Sequence, residues 1–337
     1  MQSVTISSNQ AGQRLDKFLH KYLPQAGNGF LYKMLRKKNI TLNGRKAEGA
    51  EILALGDQVC FFFSDETFSK YAGNFDGTVD IRAYQEAYRA LAGIHVLYED
   101  PDILALGKPA GVLTQKAGPK DMSLNEWMIG YLLEKDPSFQ GELVSFHPSV
   151  CNRLDRNTSG IVLCGKSLAG TQCLSRCIQE RRIRKYYWTI CVGEVREEAD
   201  IQGYLEKDPA RNIVKITDSR KLTRQEGSYD SSYIHTRYVP LCTTGRYTLL
   251  EVELFTGKPH QIRAHLAGEG HPLAGDPKYG NLPANRELKQ AYGLDCQLLH
   301  ACRVEFEGKM IQAPCPDLFR KVQKGLGLEF PEDAGPG

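Results

Sequence analysis

The chain has no run approaching the roughly 20 apolar residues that a bilayer-spanning helix needs. Its opening stretch, Met1 to Leu19, holds no apolar core with a cleavage-like end. A cytoplasmic protein with no membrane partner is therefore expected. The ten cysteines include no Cys-x-x-Cys pair, so the paired ligand spacing of structural zinc sites is missing. Most stand among apolar residues, as in Val59-Cys60-Phe61 and Ile190-Cys191-Val192, which suits reduced, buried thiols. No metal is expected. There is no convincing repeat at solenoid spacing and no regular strand-helix alternation of a doubly wound sheet. Net charge is small as well, with 43 basic against 40 acidic side chains. What remains is an ordinary composition, 41% hydrophobic and 25% charged. A length of 337 residues suggests two or three domains.

The small charge is unevenly spread. Residues 1–63 carry nine Lys/Arg against four Asp/Glu, a net +5 that leaves −2 for the rest. A basic unit joined to a near-neutral body suggests an anion-binding module. Leu15, Phe18, Leu19 and Tyr22 fall at helical spacing, and Pro24 ends that helix. A second helix over about Phe30 to Lys37 keeps its apolar residues on one side and Lys33, Arg36 and Lys37 elsewhere. Ile40-Thr41-Leu42 reads as a strand and Asn43-Gly44 as a hairpin turn. Gln58 to Phe63 reads as another strand. This order of parts, with Arg14-Leu15-Asp16-Lys17-Phe18-Leu19 and the text that follows, resembles the S4-like RNA-binding domain. By that resemblance Lys33, Arg36 and Lys37 contact RNA.

Residues 64–93 are polar and weakly periodic and read as a linker, with a helix over about Val79 to Ala92. A second unit then runs over 94–325, before a flexible tail at 326–337. Strands are expected at Val96–Tyr98, Ile103–Leu106, Ile161–Leu163 and Lys185–Val192. Ser123 with Glu126 forms a capping box for a helix. Leu250, Val252 and Leu254 alternate with Glu251 and Glu253, so that strand buries one face. The fold class is α+β around a mostly antiparallel mixed sheet.

Two clusters carry candidate chemistry. In Asn152 to Gly160 a carboxylate, Asp155, stands between Arg153 and Arg156 just before a buried strand. Flanking guanidiniums favour an ionised carboxylate. Such a group can act as a nucleophile or stabilise a sugar cation. The arginines could also take phosphates. A solvated surface salt bridge would give the same text. In Thr256 to Leu266, a turn at Lys258-Pro259 leads into a helix near His260, and His260 and Arg263 share a face three residues apart. His260 and His265 are five apart, off the spacing of two ligands on one helical face. Gly270 to Gly280 follows as a turn-rich loop.

Taken in order, these stretches resemble the RluA family of pseudouridine synthases. Asp102 to Gly111, with its Gly107-Lys108-Pro109-Ala110-Gly111, is similar to the family's opening segment. Arg153 to Gly160 matches its catalytic motif, and Lys185 to Gly193 its Lys-x-Tyr strand. Thr256 to Ala267 with Gly270 to Gly280 matches its third block. Leu298 to Ala301 and Ala313 to Asp317 match its ending. The likeness covers about residues 94–320, and an S4-like unit precedes this domain in many members. Two departures stand out: Asn152 where the family usually has His, and Lys258-Pro259 where Arg-Thr is commoner. They bear on which uridine is chosen more than on the reaction.

The resemblance implies a pseudouridine synthase fold that isomerises uridine in RNA without a cofactor. It makes Asp155 catalytic, through attack on C1′ or formation of a glycal. It has Tyr187 stack on the base and assist loss of the C5 proton, Arg263 pair with Asp155, and Leu299 form an apolar wall. Arg153 and Arg156 would fill the gap left by the flipped base or hold phosphates. Read from the residues themselves, the basic run Arg176, Arg181, Arg182, Arg184 and Lys185 would either track the RNA backbone or form a solvated face. Ribosomal RNA is the expected partner, with transfer RNA left open and a monomer as the default. Two other readings compete: an RNA-binding assembly factor that has lost its chemistry, and a carboxylate hydrolase, which would need a second acid near Asp155.

Overall fold

The computed structural model describes residues 2–7, 9–72, 79–143, 146–208, 213–217 and 232–330. The first unit runs β1 (Gln2–Thr5), α1 (Leu15–Tyr22), α2 (Asn28–Arg36), β2 (Ile40–Leu42), β3 (Arg45–Lys46), β4 (Gln58–Phe61) and α3 (Asp65–Ala72). Its strands form one sheet in the order β1-β4-β2-β3. Asn43 and Gly44 both take positive φ, as the two-residue hairpin between β2 and β3 requires. Leu15, Phe18 and Leu19 of α1 and Leu31, Met34 and Leu35 of α2 meet Val59 and Phe61 in a core of their own.

The stretch read as a linker divides between the two units. Helix α3 places Phe68 and Ala72 in the first core, and Tyr71 stacks on Phe30 at 3.8 Å. The first unit therefore reaches residue 72, beyond the expected end at 63. Helix α4 (Arg82–Ala90) belongs to the second unit. It lies so close to α5 (Leu124–Lys135) that a Cβ on Gly130 would come within 2.3 Å of the Tyr84 carbonyl oxygen. Helix α3 buries only Phe68 and Ala72, and α4 fully buries only Ala87.

The second unit continues with β5 (His95–Glu99), β6 (Ile103–Lys108), α6 (Phe139–Glu142), β7 (Ser149–Val150), β8 (Ser159–Gly165), α7 (Leu168–Gln179), β9 (Arg184–Val192), β10 (Ala199–Asp208), β11 (Ile213–Thr217), β12 (Ser232–Thr243), β13 (Tyr247–Leu254), α8 (Gln261–Gly268), α9 (Leu282–Tyr292), β14 (Leu299–Phe306), β15 (Lys309–Gln312) and α10 (Asp317–Gly325). They build an 11-stranded sheet whose main path is β11-β10-β12-β13-β9-β14-β8-β6-β5, with β15 on β14 and β7 on β8. Every pairing among the described residues is antiparallel except β14 with β8. That parallel contact is tight. Gly160 sits at φ +114, and a Cβ there would lie 2.2 Å from the Ala301 carbonyl oxygen. Only glycine lets the start of β8 approach the start of β14 so closely.

The largest core joins one face of this sheet to α5 and α8, and includes Leu154, Tyr187, Val252, Ile262, Leu299 and Ala301. On the other face α9 and α10 cover Tyr186, Trp188 and Ile190. Residues 326–330, expected in the tail, pack on the second unit. Leu328 is buried and the Phe330 ring lies 4.6 Å from Trp188, while 331–337 fall outside the described residues.

Candidate active site

Asp155 stands in the loop from Cys151 to Thr158 that joins β7 to β8. Hydrogen bonds fix this loop along its length. Asn152 accepts from the Leu163 amide at 2.7 Å and donates to the Ile161 carbonyl at 3.4 Å, holding the loop's start against β8. Asn152, in place of the usual His, thus ties two backbone groups of β8. The Thr114 hydroxyl donates to the Leu154 carbonyl at 2.8 Å and accepts from the Leu154 amide at 3.2 Å. Past Asp155, the Arg156 side chain donates through Nε to the Gly111 carbonyl at 3.0 Å.

Lys108 closes the assembly at the end of β6. Its ammonium, in a residue only 1% exposed, donates to the carbonyls of Pro109, Val112 and Arg156 at 2.8 to 3.0 Å. Burial pushes its pKa down to about 7, against the pull of the Asp155 charge. One lysine thereby binds the loop after β6 to the loop that bears Asp155.

The partner of Asp155 comes from far along the chain. Arg263 of α8 donates from Nη1 to Asp155 Oδ2 at 2.8 Å. Its Nε and Nη2 make a two-pronged pair with Asp276 at 2.7 and 2.9 Å. Asp276 also accepts from the amides of Lys278 and Tyr279. Burial alone would lower the Arg263 pKa and raise that of Asp276, but their mutual hydrogen bonds and charge reverse both shifts. The Tyr279 ring lies 5.3 Å from the guanidinium and its hydroxyl meets His260 Nδ1 at 3.0 Å. His260 itself takes a left-handed conformation, φ 56°, as the cap of α8, and its Nε2 stands 3.9 Å from Asp155 Oδ2. Burial lowers its pKa, with the Asp155 charge opposing. Asp155 Oδ1 accepts no hydrogen bond among the described residues.

Leu154, the neighbour of Asp155, shares an apolar core with Tyr187 and Leu299. Tyr187 and Leu299 are 5% and 6% exposed, whereas the Asp155 side chain is 26% exposed. Tyr187 pairs with Ala301 of β14 and Val252 of β13. Burial, helped by the Asp155 charge, pushes its phenol up, so it keeps its proton. Leu299 pairs with Thr189, whose hydroxyl donates to the Leu298 carbonyl at 2.7 Å. Arg153 is exposed on the loop.

Other expected residues lie apart from this centre. Lys33, Arg36 and Lys37 are exposed at the end of α2 in the first unit. There Tyr32, Lys33, Arg36 and Lys46 line a groove of about 390 Å³. Of the basic run before β9, Arg182 pairs with Glu180 and Glu307, and Arg184 with Glu253 and Glu305. Those two are tied into surface ion pairs. Sequence reasoning gave no role to Lys108, Thr114 or Asp276. Lys108 and Asp276 both stand in motifs quoted for the resemblance, and that was the available signal.

A family profile described as RNA pseudouridylate synthase matches residues 102–268, which include Lys108, Asp155, Tyr187 and Arg263. The chain belongs to the RNA pseudouridylate synthase family. This pseudouridine synthase is 27% identical over 333 residues to Ribosomal large subunit pseudouridine synthase C of Vibrio vulnificus, with 97% of this chain and 96% of that protein covered. It is 29% identical to the protein of the same name from Escherichia coli O157:H7, covering 95% of each. Among solved structures, Human RNA Pseudouridylate Synthase Domain Containing 4 shares the synthase fold, with a TM-score of 0.59 at 19% identity over 75% of this chain and 100% of that one. No described helix is long and apolar enough to cross a membrane.

Proposed function

We propose that this synthase isomerises uridine to pseudouridine in large-subunit ribosomal RNA, with Asp155 as the catalytic residue. The observation that carries this reading is the state of the Asp155 carboxylate. One oxygen is held by a buried arginine and the other is uncommitted, next to Leu154, which shares a buried apolar core with Tyr187 and Leu299. The reaction breaks N1–C1′, turns the uracil, forms C5–C1′, and moves a proton from C5 to solvent while N1 gains one. It is redox-neutral and calls for no cofactor. The uncommitted oxygen can bond to C1′ or take the C2′ proton toward a glycal. Both routes begin with the same bond cleavage.

A base inside a helix is out of reach, so the target is flipped or already unpaired. Tyr187 and Leu299 then contact the base faces. A phenol that keeps its proton serves as a stacking surface and hydrogen-bonding group, and does not suit a phenolate base. Arg156 is tied to Gly111, which leaves the exposed Arg153 to fill the vacated stack or meet a phosphate. The S4-like unit, through Lys33, Arg36 and Lys37, supplies sequence-independent, salt-sensitive affinity.

The test is tritium release from unmodified ribosomal RNA labelled at C5 of uridine, with Asp155→Ala beside wild type. We expect release by wild type and a loss of roughly 10³-fold or more in the variant. Equal release by both would sink Asp155. Tight binding without release from ribosomal or transfer RNA would replace the synthase reading by that of a binding factor.

A further inference from the structure

Lys185 differs from the other cations around the site. Strand alternation puts it on the same face of β9 as Tyr187, about 6.6 Å further along, opposite to Tyr186. It is partly buried, and its Nζ lies 3.7 Å from where a Cβ on Gly257 would stand, against the turn that leads into α8. Among the described residues it makes no ion pair and no hydrogen bond. The nearby carboxylates Glu251, Glu253 and Glu305 are taken by Arg303 and Arg184 on the other face. Burial holds its ammonium below the usual lysine range. A partly buried cation without a partner costs stability, and Lys108 shows how this fold satisfies a lysine that serves structure.

We infer that Lys185 binds the phosphodiester next to the flipped uridine, with the Gly257 turn forming the other side of the subsite. The geometry fits that assignment. A base over Tyr187 beside Asp155 leaves its flanking phosphate about one nucleotide away, where Lys185 stands. Gly257 carries no side chain to obstruct the backbone there. The inference rests on the RNA-modifying reading above.

The experiment uses the full chain, an unmodified large-subunit ribosomal RNA transcript labelled with tritium at C5 of uridine, and the variants Lys185→Met and Lys185→Arg. For Lys185→Met we expect KM to rise about tenfold with kcat within about twofold. The slope of log Kd against log salt should fall by about 0.7, the share of one phosphate contact. Lys185→Arg should restore the slope, and Lys185→Met should melt no lower than wild type, because an unpartnered charge has gone. An unchanged slope, or a loss confined to kcat, overturns the assignment, and a lower melting temperature with an unchanged slope makes Lys185 structural. A wild type that releases no tritium from this RNA fails the functional reading itself, whereas an active wild type with an unaltered variant fails Lys185 alone.

Discussion

The loop around Asp155 and the first unit carry charge in opposite ways. Around Asp155 the half-buried carboxylate is tied to a buried ion pair in a fixed chain, Asp155 to Arg263 to Asp276. On α2 the charges are many, exposed and of one sign, with Lys33, Arg36 and Lys37 in solvent. A buried network sets geometry to a fraction of an ångström at a cost in desolvation. A solvated basic face sets affinity and costs the fold almost nothing. Under the function proposed above, the difference would separate positioning from capture within one chain.

The largest effect should come from breaking the buried chain. Arg263→Leu leaves Asp276 buried without its partner and should cost about 3–5 kcal/mol in urea unfolding. Tritium release should fall as far as in Asp155→Ala. Adding Asp276→Leu should recover most of the stability and none of the activity, since apolar replacement of a whole buried pair is often neutral. An active double variant would show that the pair serves the fold alone, and the contrast with α2 would collapse.

Lys108 tests the same contrast through pH. Its folded pKa is near 7, below the usual lysine value of about 10.4. Between those values the unfolded chain binds more protons, so wild-type stability rises with pH across that window. Below about 7 the full cost of burying the ammonium is present and constant. Relative to Lys108→Met, wild type should gain about 1.4 kcal/mol per pH unit above pH 7. Urea midpoints at pH 6, 7, 8 and 9 measure it, and a flat difference would mean that the three carbonyls keep Lys108 charged throughout.

Local signals in the sequence were dependable where one residue type has one physical use. Asn43-Gly44 gave the hairpin, Ser123 with Glu126 the start of α5, and the alternation of Leu250, Val252 and Leu254 the buried face of β13. The boundary between the units was less legible, because α3 and α4 each bury only a few residues in cores formed by distant segments. Lys108 illustrates the same limit inside the site. Nothing about a lysine before a proline shows that its ammonium will meet a carbonyl 48 residues away. The local text around Asp155 offers only its flanking arginines, and the longer-range pairing with Arg263 was legible through the family resemblance alone. Arg156 turns back to Gly111, and the partner is Arg263, 108 residues on.

The smallest effect should come from the exposed face, and it should differ in kind. Replacing Lys33, Arg36 and Lys37 together by Ala removes three solvated charges that hold no buried partner. Stability should stay within about 0.5 kcal/mol, as for most surface changes. Affinity for ribosomal RNA should fall about tenfold at moderate salt, and the salt slope by about two, because each lost phosphate contact contributes about 0.7. At saturating RNA, kcat should match wild type, since no atom near Asp155 has moved. Filter binding over a salt series, read beside tritium release at saturation, separates these quantities. If the triple variant instead lost kcat at unchanged affinity, the first unit would be acting on the geometry of the catalytic loop, and the division between capture and positioning would be wrong.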